Sequence, residues 1–120
     1  MLTRYKIYLL SLLTKLNALN ISENPLCDLD PIANLKDLTS LYLWHTNIRD
    51  ITCLKSNTKL VELGLADNQI NDVRGLFDLK QLDLLFLGGN ENIPENQLQE
   101  IEAKNLSDFR RPDWKKQIEN

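Results

Sequence analysis

Residues 60–70, LVELGLADNQI, decide how this chain is read, because Leu60, Leu63, Leu65, Asn68 and Ile70 return elsewhere in it at fixed intervals. The same frame runs as LNALNISENPL from Leu16, LTSLYLWHTNI from Leu38 and LDLLFLGGNEN from Leu82, each starting 22 residues after the one before. A constant period of roughly 20–50 residues marks a stack of like units, since one such unit cannot bury its own apolar side and needs a neighbour to do so. Within the unit, Leu63 and Leu65 flank Gly64, the alternation of a short strand with one buried face, and Asp67-Asn68 turn the chain.

On these residues the chain resembles the leucine-rich repeat family. The pattern LxxLxLxxNxI covers Leu16 to Gly89, and the trailing Asp50-Ile51 to Leu54 and Asp72-Val73 to Leu76 look like the 22-residue, internalin-like bacterial variety. The resemblance implies an α/β fold, a leucine-rich repeat solenoid with a right-handed β-α superhelix and a short parallel sheet of about four strands. It also implies a general role in binding other proteins, and it names no partner.

At 120 residues the chain fits one domain. We divide it into an N-terminal cap or truncated repeat (1–15), the repeats (16–93) and a C-terminal helical cap (94–120). Near the start, Lys15 interrupts the apolar run that follows Arg4 and Lys6, and no small-residue cleavage site follows closely, so a truncated repeat is preferred to a secretion signal. One period before Leu29, Ile32 and Leu35 stand Ile7, Leu10 and Leu13. The same leucines also fit a short helix with Leu9, Leu12, Leu13 and Leu16 on one face, which would cover the open end of the stack. If the arm packs poorly, the first strand, near Ala18 to Ser22, becomes an edge for weak self-association.

Three strand columns are expected in the core: Leu16, Leu38, Leu60 and Leu82; Leu19, Leu41, Leu63 and Leu85; Ile21, Leu43, Leu65 and Leu87. On the returning side Asn57 breaks the column of Leu35 and Leu79, which predicts a loose, wet corner there. Asn24, Thr46, Asn68 and Asn90 hold the position where an amide bonds across the turn to the next coil, with a thinner network at Thr46. Asp28, Asp50 and Asp72 read as turn carboxylates rather than metal ligands. After Gly89, Pro94-Glu95 starts a helix with Leu98, Ile101 and Leu106 toward the last coil, and Pro112-Asp113 starts a second one carrying Trp114 and Ile118. Arg110, Arg111, Lys115 and Lys116 read as a solvated face.

A formal net charge of −3, with 42% hydrophobic and 26% charged residues, is ordinary for a soluble protein and gives no drive toward nucleic acid or a membrane surface. Cys27 and Cys53 occupy different columns, so we expect two free thiols and a reducing, cytoplasmic compartment, with secretion as the alternative. No phosphate loop, dinucleotide fingerprint, zinc spacing or nucleophile elbow is present, so no cofactor, metal or catalytic residue is assigned. His45, between Glu23 and Asp67, reads as rim charge pairing and not as a general base, because no nucleophile or oxyanion donor accompanies it.

In the implied fold, the residues beside the strand leucines line the concave face. There Tyr42, Trp44, Leu84 and Phe86 surround Gly64 and Ala66, a shallow floor rimmed by rings that suits a protein or peptide partner. Asn20, Glu23, His45, Glu62 and Asp67 complete the expected partner-binding set, the acidic ones favouring basic groups. Two other non-enzymatic readings stay open: a dedicated inhibitor such as a toxin-neutralising immunity protein, and a self-assembling structural adaptor.

Overall fold

Strands set 22 residues apart pair in register only if every coil returns the same residue to the same height. The computed structural model, which describes residues 2–26 and 28–113, is built this way. A helix, α1 (Arg4–Leu10), precedes the strands β1 (Ala18–Asn20), β2 (Ser40–Tyr42), β3 (Glu62–Gly64) and β4 (Leu84–Phe86). A second helix, α2 (Glu95–Glu102), leads into β5 (Asp108–Arg110). The strands form one parallel sheet in chain order, with Leu19, Leu41, Leu63, Leu85 and Phe109 side by side.

Behind the sheet, Leu38, Leu41, Leu43, Leu60, Leu63, Leu65, Leu85 and Leu87 are all sealed at 0% exposure. Each such leucine contributes roughly 1.5–3 kcal/mol relative to an exposed one, so these layers are the main force joining the coils. The inner coils return through 3₁₀ segments, Asp30–Asn34, Thr52–Ser56 and Arg74–Leu76, rather than through the helices of a β-α superhelix. The reason is width. Strands sit ~4.8 Å apart, whereas full α-helices on the other side need an interaxial distance of ~8–10 Å. Narrow 3₁₀ turns let successive coils stay close to parallel.

The C-terminal end departs from the expected helical cap. The helix begins after Pro94 and buries Leu98 and Ile101, but the chain then returns to the sheet as a fifth strand, two residues later than the period requires: Leu84 pairs with Asp108. Arg111, expected on a solvated face, holds this closing turn together. Its side chain is 18% exposed, its guanidinium donates to Glu102, and it grips both oxygens of Glu95 at 2.8 and 2.6 Å. These bonds raise its pKa despite burial. Pro112 and Asp113 form a turn, while the expected helix with Trp114, Lys115, Lys116 and Ile118 lies outside the described residues.

At the other end, Thr3 caps α1 by accepting from the Lys6 amide, and Leu2 N–H donates to Asn24 Oδ1 at 2.8 Å, the inter-coil bond of a preceding repeat. Ile7 is buried and Leu2, Leu10 and Leu16 pack against the core. Leu13 does not follow its column: it is 51% exposed, and Leu9 and Leu12 also face solvent. The helix therefore turns its leucine stripe away from the stack, because Ile7 and Leu10 already fill the space above the first coil.

The polar columns carry the remaining bonds between coils. Asn68 Nδ2 donates to Leu43 O at 2.8 Å and Leu65 O at 3.0 Å while Oδ1 accepts from Thr46 N at 2.8 Å; Asn90 repeats both donations one coil on, to Leu65 O and Leu87 O, while its Oδ1 accepts from Ile70 N at 3.1 Å. Thr46 is equally buried, but its hydroxyl reaches Leu43 O in its own coil and Asn68 Oδ1 in the next and, among the described residues, makes no bond back to the preceding coil as Asn68 and Asn90 do, so the network is thinner there, as expected. The expected wet corner at Asn57 is instead fully buried. Its Nδ2 donates to Ile32 O and Leu35 O of the coil before, which satisfies the N–H groups of the amide inside an otherwise aliphatic column and leaves Oδ1 buried without a hydrogen-bond partner among the described residues. Asp28, Asp50 and Asp72 accept the N–H two residues on at 2.9–3.0 Å, the turn role read from the sequence.

Candidate protein-binding face

Alternation along each three-residue strand sends its central residue into the core and its neighbours to the solvent side of the sheet. The parallel register then stacks these outward residues. One column is Ala18, Ser40, Glu62, Leu84 and Asp108, and the next is Asn20, Tyr42, Gly64, Phe86 and Arg110. All nine residues expected at the site lie on this face or at the strand ends beside it.

The centre of the face is more ordered than a row of exposed rings. Tyr42 lies across Gly64: a Cβ there would stand 2.5 Å from Tyr42 Cδ1, so only glycine lets the ring lie flat on the neighbouring strand. Lying so, Tyr42 donates its hydroxyl to Glu62, which also accepts from Ser40 Oγ at 3.4 Å. The hydrogen bond to this carboxylate, helped by burial, pushes the Tyr42 phenol up to about 12. Glu62 is thus a partnered group and less available than a rim charge.

Phe86 and Leu84 are half-buried, and the Arg110 guanidinium lies 5.6 Å from the Phe86 ring centre while pairing with Asp108 at 3.5 Å. Trp44 is the most exposed ring on the face, at 37%. Beyond it, the small residues Ala66 and Gly88 follow one and two periods on at the same position of their coils. Asn20 is solvent-exposed but holds its own turn, with Oδ1 accepting from Ser22 N at 3.1 Å.

Glu23, His45 and Asp67 line up at the strand ends as expected, and their backbone explains the alignment. All three, with Gly89, have left-handed φ, at 62°, 54°, 57° and 86°. Each also donates its N–H to the coil that follows: Glu23 to Trp44 O, His45 to Ala66 O, Asp67 to Gly88 O and Gly89 to Pro112 O. The column is a backbone turn repeated once per coil. The charge pairing expected of His45 is absent: among the described residues no ion pair joins it to Glu23 or Asp67.

Sequence reading missed the contribution of β5. Asp108 and Arg110 extend the face, but Phe109 in place of the column leucine and a 24-residue final coil hid the strand. Three residues of alternation, Asp108, Phe109 and Arg110, are too short a signal to mark a strand without the period.

No protein-family model matches the chain, and no curated protein matches it either. Among solved structures, an internalin (InlF) from Listeria monocytogenes superposes with a TM-score of 0.78 at 37% identity, over 84% of this chain and 30% of that one. The chain is an internalin-like leucine-rich repeat. Internalin C2 from the same organism gives a TM-score of 0.68 at 29% identity, over 72% of this chain and 38% of that chain. The repeat thus spans about a third of the length of these internalins.

Around the site, Cys53 is a free, half-buried thiol pushed up to about 11 by burial and by the nearby charges of Asp30, Asp50 and Asp28. Cys27 lies outside the described residues. Among the described residues no helix of the internalin-like repeat is long and apolar enough to cross a membrane.

Proposed function

We propose that this internalin-like repeat is a non-enzymatic protein-interaction module that holds a protein or peptide against the solvent side of its sheet, from Asn20 to Phe86. The supporting observation is the asymmetry of that face. Trp44 stands exposed beside the small Ala66 and Gly88, with the Tyr42–Glu62 pair on one flank and Phe86 under Arg110 on the other. An indole next to a shallow, rigid floor contributes most when a partner desolvates it. Glu23 and Asp67, exposed at the strand ends, favour a partner that presents basic groups there.

The test compares wild type with Trp44→Ala and Tyr42→Ala in affinity capture followed by titration calorimetry with the captured partner. Trp44→Ala should weaken binding by roughly 30-fold, the size of a central aromatic contact, and leave melting within a degree or so. Tyr42→Ala should weaken binding and also lower the melting point, since its ring packs on Gly64. Retention of the partner by both variants would refute the reading.

A further inference from the structure

Of the six large apolar side chains that stand exposed among the described residues, five lie between Tyr5 and Leu13: Tyr5 at 72%, Tyr8 at 67%, Leu9 at 46%, Leu12 at 69% and Leu13 at 51%. They recur at positions 5, 8, 9, 12 and 13, the three-and-four spacing that gathers apolar groups on one side of a helix. The helical course of α1 continues beyond Leu10 through the bonds Leu12 N to Leu9 O and Leu13 N to Leu10 O, so the stripe is continuous. The opposite side of the same arm carries Ile7 and Leu10 against the first coil. The arm is apolar on two sides and only one has a neighbour.

At about 200 Å² for a side chain of this size, the exposed fractions amount to roughly 600 Å² per copy. That is at the upper limit for a monomer's largest patch and approaches the ~800 Å² per partner of a specific interface once polar edges are added. The surroundings carry both signs of charge. Arg4, Lys6 and Lys15 are exposed on the arm, and Asp28 and Asp30 on the coil beside it. Arg4 and Asp28 are 4.0 Å apart with side chains 82% and 43% exposed, a loose pair that leaves both able to meet another molecule. Between arm and coil runs a groove of about 470 Å³, lined by Tyr8, Leu12, Pro25, Pro31, Arg4 and Asp28.

A patch that is apolar in the middle and carries both charges at its border is self-complementary, which an isologous two-fold contact requires. We propose that the N-terminal arm is a homodimer interface, in which two copies pack α1 against α1 about a two-fold axis and bury Tyr5, Tyr8, Leu9, Leu12 and Leu13. Asp28 and Asp30 of each copy meet Arg4 and Lys6 of the other. A lipid surface is the weaker occupant, because the two carboxylates and the net charge of −3 oppose anionic headgroups. The dimer leaves the sheet face open and is independent of what binds there.

The experiment is analytical ultracentrifugation of the whole chain from low to high micromolar concentration. The mass should rise from 13.9 kDa to twice that value. Leu12→Glu and Tyr5→Glu, at the two ends of the stripe, should stay at the monomer mass with unchanged circular dichroism, whereas Trp44→Ala should dimerise like wild type. Monomer mass for wild type throughout the range, doubling that survives both charged variants, or open-ended polymers would each overturn the proposal. A monomer that floats with anionic vesicles and loses this on Leu12→Glu would assign the arm to lipid instead, and overturn it equally.

Discussion

Asn68 ties its own coil to the one before it through one amide, and its replacement by alanine gives a loss that follows from the hydrogen bonds around it. Two carbonyls lose a donor but are not stranded: Leu43 O keeps the Thr46 hydroxyl at 2.8 Å and Leu65 O keeps the Asn90 amide at 2.9 Å. Thr46 N–H, however, has only Asn68 Oδ1 to bond, in a residue with 0% exposure. A stranded buried donor costs ~1–3 kcal/mol and each lost amide bond ~0.5–1.5 kcal/mol, which together give about 4 kcal/mol for Asn68→Ala. Thr46→Ala removes one hydroxyl bond and a methyl group and should cost about 1–2 kcal/mol.

Urea unfolding followed by circular dichroism measures both variants on one scale. For a domain of this size 1 kcal/mol moves the melting point by roughly 3–5 °C, so Asn68→Ala should melt more than 10 °C below wild type. The order matters as much as the size. Were Asn68→Ala to cost less than about 1 kcal/mol, or no more than Thr46→Ala, the amide ladder would not be what ties the coils together on this side, and the leucine layers alone would have to explain their registration.

Two other outcomes follow from the face itself. His45→Gly should raise stability by a few tenths to about 1 kcal/mol, because the left-handed turn strains any residue with a Cβ, partly offset by the freedom glycine has when unfolded. Gly89→Ala should lower it, since φ is 86° and the new Cβ would come within 3.2 Å of the Asp67 Cα; paired thermal melts decide both. The Tyr42 phenol ionises near pH 12 in the folded chain against 10.0 for a free phenol, because Glu62 holds its proton. A folded pKa raised in this way gives stability that is complete below pH 10 and lost as pH climbs toward 12. An ultraviolet tyrosinate titration should show this late phase in wild type and an earlier one in Glu62→Gln.

Most of the architecture was legible because it is periodic. A 22-residue spacing dictates which leucines share a layer, which residues face outward, and where the turn asparagines sit, and every one of the first four strands falls where the pattern puts it. Periodicity stops informing where the period breaks. The two-residue lengthening before β5 concealed a strand, and the acidic partners of Arg111, nine and sixteen residues away, belong to no repeat.

The sequence alone determined the columns and therefore the candidate face, since side-chain direction in a register-locked strand follows from position parity. Only the tertiary structure decided the fate of groups whose surroundings come from another coil. Asn57 is buried because two carbonyls of the preceding coil lie within reach of its amide, and Tyr42 lies flat because the next strand offers a glycine. The outward leucines of α1 are the same case. A helical stripe has one pattern whether it is covered or bare, and which side meets the stack depends on the shape of the space that Ile7 and Leu10 fill first.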